Sequence, residues 1–215
     1  MTPRHASIPA VIAVLSLTTL AACGQGPIPS PTSSATPSAA SGSASAPSAP
    51  VTASPSTMAA ASIVAADSDL LRTHLPPAIE GIPVTYDPET TASVAADPGL
   101  ADDASALAIG LVIAPGSSAA DDLATISVIR LRDPSRDDEW FRDWRDTYDT
   151  AACDRAGGVS GHAETTIAGR TVFIGSCRNA VFTYHARIDN GAVVISVNGL
   201  GPRRLGEKVM AAIIE

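Results

Sequence analysis

Apolar and polar residues follow three regimes along this chain. Residues 10–20 (AVIAVLSLTTL) are a compact apolar run. Residues 24–66 hold no charged and no aromatic side chain and show no periodicity. From Asp67 onward the spacing takes on the periods of helices and strands, and all eight aromatic residues lie there.

Within that third region, residues 67–74 (DSDLLRTH) predict a short helix that Leu75-Pro76-Pro77 stops. Residues 81–86 (GIPVTY) read as extended, with Pro83 favouring a sheet edge. Residues 88–103 give no clear pattern. Residues 106–114 (ALAIGLVIA) and 124–132 (ATISVIRLR) predict two strands around the polar loop PGSSAADD. A buried helix over 100–112 competes with that reading, because short apolar runs fit both.

The strongest periodicity comes next. Trp140, Trp144 and Tyr148 recur at i, i+4 and i+8, and Phe141 and Ala152 widen the stripe. Acids and arginines occupy the rest of the circumference, as in an amphipathic helix. Asp133-Pro134 offers an N-cap with proline in the first turn, or Ser135 and Asp138 form a capping box. Gly157-Gly158 ends the helix. Short strands follow at 163–167, 171–176, 180–188 and 192–197, and Asn190-Gly191 signals a hairpin because both residues accept positive φ. In the third of these, Phe182, Tyr184, Ala186 and Ile188 face the core, and Thr183, His185 and Arg187 face away from it. A last helix over 202–214 carries Leu205, Val209, Met210 and Ile213 on one side. The fold expected is α+β: an antiparallel sheet with amphipathic helices packed largely on one face, after a disordered N-terminal stalk.

Charge narrows the partners. With 14 Lys+Arg against 22 Asp+Glu the net charge is −8. Nucleic acid, which needs a basic face, is excluded as an expected partner, as is polybasic attachment to anionic lipid. No run reaches the length of a membrane-spanning helix. The apolar run at 10–20 is preceded by Arg4 and followed by the small residues Ala21 and Ala22, the layout of an export signal.

Leu20-Ala21-Ala22-Cys23 resembles the lipobox of bacterial lipoproteins. That resemblance implies cleavage before Cys23, a diacylglyceryl thioether on its sulfur and acylation of its new amino group. Several acyl chains together give a stable anchor where one does not. The domains expected are a signal peptide over 1–22, a lipid-anchored Ser/Pro/Ala-rich stalk over 23–66 and one extracytoplasmic domain over 67–215. The stalk composition cannot bury enough apolar surface to order itself. Fully extended it would span roughly 130 Å, and as a coil roughly 35 Å. The stretch LPPAIEGIPV and the cysteine pair flanking the helix-to-sheet passage are similar to features of lipoproteins of high-GC bacteria, in keeping with 13 Arg to one Lys. The order of sheet and helices also resembles small lipoprotein domains of the PsbP-like type, a likeness of fold that transfers no active site.

With Cys23 taken by lipid, Cys153 and Cys177 remain. An oxidising compartment favours a disulfide between them, closing a loop worth roughly 3 kcal/mol of chain entropy. They are not set at metal-site spacing, and neither a metal nor a cofactor is expected. His162-Ala163-Glu164 lacks the PCxxC of zinc deaminases and reads as a solvated turn. Gly158-Val159-Ser160-Gly161 lacks the GxSxG elbow of hydrolases and reads as a loop. Gly199, Gly201, Arg203 and Arg204, at a strand-to-helix turn, form a candidate anion site. Trp140, Trp144 and Tyr148 are either core or the lining of an apolar pocket. His74 and His185 look isolated, and Asp102-Asp103 and Asp121-Asp122 look like solvated loop acids. No catalytic constellation is visible, so a non-enzyme is expected: a membrane-anchored binding or interaction module of the cell envelope. Its partner would be a small apolar molecule, an envelope polymer or a protein. The alternative is a small envelope hydrolase assembled from distant residues.

Overall fold

The computed structural model describes residues 69–116 and 122–215. The expected signal peptide, the Cys23 anchor, the stalk and residues 117–121 of the polar loop lie outside them.

LPPAIEGIPV forms a miniature hairpin, β1 (Ala78–Ile79) and β2 (Ile82–Pro83), turned by Glu80 and Gly81 at φ 48° and 80°. β3 (Thr85–Tyr86) follows. Residues 88–103 resolve into α1 (Pro88–Ala95) and α2 (Pro98–Asp103). Each starts on an Asp-Pro pair: the Asp87 carboxylate accepts from the Thr90 N–H, and that of Asp97 from Gly99 and Leu100. β4 (Ala104–Ile113) and β5 (Leu123–Leu131) are the two expected strands, which removes the competing helix over 100–112.

The aromatic helix is α3 (Asp138–Cys153). It starts later than Asp133-Pro134 suggests. Asp133 instead accepts from the N–H and hydroxyl of Ser135 in a local turn, and Asp137 caps the helix through the Trp140 N–H at 2.8 Å. A short turn ends on Gly157 at φ 85°. Then come β6 (Val159–Ile167), β7 (Arg170–Cys177), β8 (Val181–Ile188) and β9 (Val193–Leu200), and α4 (Leu205–Ala212) closes the fold.

Seven strands form one sheet in the order β3-β4-β5-β9-β8-β7-β6, every neighbouring pair antiparallel. The last four strands make a meander whose final strand, β9, returns to pair with β5. β9 and β5 are therefore central, and β6 is an outer edge. One face of the sheet packs α4 and the β1–β2 hairpin over Ile126, Val128, Tyr184 and Ile195. The other packs α3 over Leu107, Ile109, Ile129 and Val194, with α1 and α2 residues Val94, Ala95 and Leu100 alongside. α1, α2 and α3 thus share a face, and opposite them α4 packs together with the hairpin and the helical segment that carries Leu71. Burying a large side chain such as Phe141 or Trp144 contributes about 1.5–3 kcal/mol.

β8 corrects one expectation. Tyr184, Ala186 and Ile188 do face a core, but Thr183 and His185 on the opposite side are equally buried. The stripe of α3 has to be covered too, and this second face of the sheet covers it.

Candidate functional site

Two features meet on the α3 face. The first is a groove of about 640 Å³ between the N-terminal half of α3 and strands β6 to β8. Its floor is aromatic: Phe141 and Phe173 meet edge to face at 5.6 Å. Its rim is cationic. The Arg145 guanidinium lies 4.5 Å over the Phe173 ring, and that of Arg187 lies 5.8 Å from the Phe141 ring. Arg187 donates to the carbonyls of Arg136 (2.7 Å) and Gly191 (3.3 Å), while its buried Nε has no hydrogen-bond partner. Arg142 is exposed on the rim. Arg170 borders the groove, but its guanidinium is bound to the Met210 and Ile213 carbonyls at the end of α4. Asp138 and Glu164 are the acids present. Arg187 pairs with Asp138 at 3.6 Å and Arg145 with the neighbouring Asp146 at 3.0 Å, and Arg142 is the exposed guanidinium of the rim.

The second feature is a buried polar network beneath α3. Asp149 is 1% exposed. Its Oδ1 accepts from the Thr183 hydroxyl at 2.5 Å and lies 2.8 Å from His185 Nε2. His185 Nδ1 lies 2.9 Å from the Ser196 hydroxyl. A carboxylate only accepts, so His185 Nε2 carries a proton toward Asp149. Burial works against the Asp149 charge, but the hydrogen bonds and charge of His185, together with Thr183 and His162, hold its carboxyl below the usual carboxylate range. Register places the network. Thr183, His185 and Ser196 share one face because His185 pairs with Ser196, and Thr183 pairs with Gly175. Gly175 is what admits the carboxylate: a Cβ there would sit 2.3 Å from the Thr183 hydroxyl and 2.4 Å from Asp149 Oδ2.

Asp149, His185 and Ser196 stand in the order acid, imidazole, hydroxyl, the connectivity of a serine nucleophile. Their setting is not that of one. Ser196 and His185 carry no exposed surface, and Trp144 and Tyr148 pack edge-on against the imidazole at 5.7 and 5.0 Å. The network lies in the core rather than in a cleft, and it orients α3 on the sheet.

Other expected site residues fall as follows. Cys153 and Cys177 are joined in a disulfide with their Cα atoms 5.2 Å apart. Trp144 and Tyr148 are core rather than pocket lining, and Trp140 is half-buried beside Trp144. The candidate anion site at Gly199, Gly201, Arg203 and Arg204 has its charges already matched. Arg203 pairs with Asp122 at 3.2 Å, and Arg204 pairs with Glu207. Gly199 is inside β9, where it lets the strand approach Gly206 of α4. His162 and Ser160 belong to β6 rather than to a turn or loop. Asp122 is buried, not solvated, and Asp103 holds Arg136 at 2.8 Å. His74 bonds the Ile214 carbonyl at 2.8 Å through Nδ1.

The groove arginines and the Asp149 network were not singled out from the sequence. A signal existed for His185, which alternates with buried positions of β8. The partner that gives it meaning lies 36 residues away. Comparison of the chain with protein-family models, with curated proteins and with solved structures finds no match.

Proposed function

We propose that this chain is a lipoprotein anchored through Cys23 to a bacterial membrane on its extracytoplasmic side, and that its folded domain binds an anionic envelope polymer in the groove between α3 and the sheet. The observation that carries the ligand class is the pairing of arginines with aromatic faces in that groove. Arg187 is held by the Arg136 and Gly191 carbonyls and by Asp138. Arg142 is exposed on the rim and Arg145 engages Asp146 through Nε, so the terminal amino groups of these two are the ones offered to a carboxylate or phosphate. The lining mixes cationic rim and apolar floor, which suits a sugar chain carrying acidic groups better than an apolar molecule. The stalk would let the domain sweep the space next to the membrane.

The test is a titration of the detergent-solubilised full chain with polyphosphate and with polygalacturonate, followed by tryptophan emission. Both tryptophans lie on α3. Saturable binding to either polymer is expected, weakening with salt and by about tenfold or more in an Arg142→Ala/Arg145→Ala double variant, in line with loss of charged hydrogen bonds. Absence of saturable binding, or equal binding by a well-folded double variant, overturns the reading.

A further inference from the structure

Where α3 meets the outer strand of the sheet, the side chains that face each other are Asp146, Asp149 and His162. Asp146 and Asp149 are three residues apart on α3 and so share a face. His162 comes from β6, directly opposite Gly175 of β7. Two carboxylate oxygens and one imidazole nitrogen, three donor atoms in all, lie within 4.8 Å of one another.

An acidic pair and a histidine on a surface would mean little alone. The second observation is the state of Asp149. Its Oδ1 is taken by Thr183 and His185. Its Oδ2 is buried, accepts no hydrogen bond and is aimed at the cluster. His162 Nε2 stands only 3.0 Å from that oxygen, but without hydrogen-bond geometry. Two donors each about 2.1 Å from one cation are about 3.0 Å apart at a right angle and about 3.4 Å at the tetrahedral angle. The spacing suits two lone pairs converging on one ion. Asp146 Oδ1 completes the triangle at 3.9 Å from His162 Nε2.

We propose that Asp146, Asp149 and His162 form a site for a divalent transition cation, with zinc(II) as the fitting ion. An imidazole among the donors favours zinc over calcium or magnesium, which prefer all-oxygen shells. Thr183 and His185 fix the ligating carboxylate from behind, as outer-shell partners of metal ligands do. Asp146 and His162 are 45% and 38% exposed, so an ion has a way in, and three protein donors leave a position for water or a ligand. Arg145 opposes the ion, since its Nε is 3.0 Å from Asp146 Oδ1. Its single charge does not cancel two carboxylates, and the second Asp146 oxygen remains. Because Arg145 also lines the groove, an anion bound there would sit beside the open position. The cation site does not depend on that anion.

The experiment is calorimetric titration of the chelator-stripped, detergent-solubilised full chain with zinc(II), repeated with cobalt(II) by visible absorption. One ion per chain is expected. His162→Gln and Asp146→Asn, both at exposed positions, should each weaken binding by about tenfold or more, the scale of lost metal-site contacts. Glu139→Gln, an exposed acid on the same helix outside the groove, should bind as the parent does. No saturable zinc binding overturns the proposal. So does binding that His162→Gln leaves intact, or that Glu139→Gln weakens equally, since either would mark diffuse chelation by surface acids.

Discussion

A single carboxylate carries much of the α3 face. Asp149 is charged, buried and held by two side chains of β8. Its folded value lies below the usual one. The sign follows: the stabilisation is fully present above the unfolded value of about 3.9 and is lost as pH falls through the lower folded value. Urea unfolding of the parent and of Asp149→Asn should differ by about 3–5 kcal/mol near neutrality, the cost of breaking a buried pair. The gap should narrow as pH falls below the ordinary aspartate range. A gap independent of pH would show that the charge is not its source. None of this could be read from composition. Asp149 stands among six other acids and arginines on one helix, and only the strand register tells it apart. Gly175 was equally silent, because its role is the space it leaves.

Elements were more legible than residues. The i, i+4, i+8 aromatic spacing located α3, because a stripe that wide has to be buried. The alternation in β8 identified its core face but not the burial of the opposite face, which depends on what packs there. Asp87-Pro88 and Asp97-Pro98 were readable cap signals, and they start two helices in a stretch that hydrophobic spacing left blank. The same dipeptide at Asp133-Pro134 makes a turn instead, because the apolar stripe begins only at Trp140. The disulfide joins the end of α3 to the end of β7 across a separation of 24 residues. Reduction, or a Cys153→Ser/Cys177→Ser change, should cost about 2–4 kcal/mol. Thermal melts with and without reductant measure it. Coincident melts would mean that helix and sheet hold together without the bond.

At the scale of the whole chain, the apolar run at 10–20 and LAAC are linear patterns that are read without any fold, and what they mean is the proposal made above. The antiparallel class was also accessible, since four successive short strands with tight turns can hardly pair otherwise. The pairing of β9 with β5 was not, because it brings together strands on either side of a helix. Anchoring is tested directly. Cys23→Ala should lose incorporation of labelled palmitate and move from the detergent phase to the aqueous phase on cloud-point separation. Palmitate label or detergent-phase partition retained by the variant would refute the lipid on Cys23.

The anchoring proposed above gives the two margins of the sheet a consequence. Anchoring of that kind would confine copies to a thin layer, where unpaired strands would meet often. β3 offers two residues, Thr85 and Tyr86, too few to template a neighbour. β6 is longer, but its register breaks between Val159 and Gly161, and it carries Glu164 along its length. Two such margins would stack like charges and misalign their ladders. A layer of copies so anchored would therefore stay fluid rather than zip into a β-lattice.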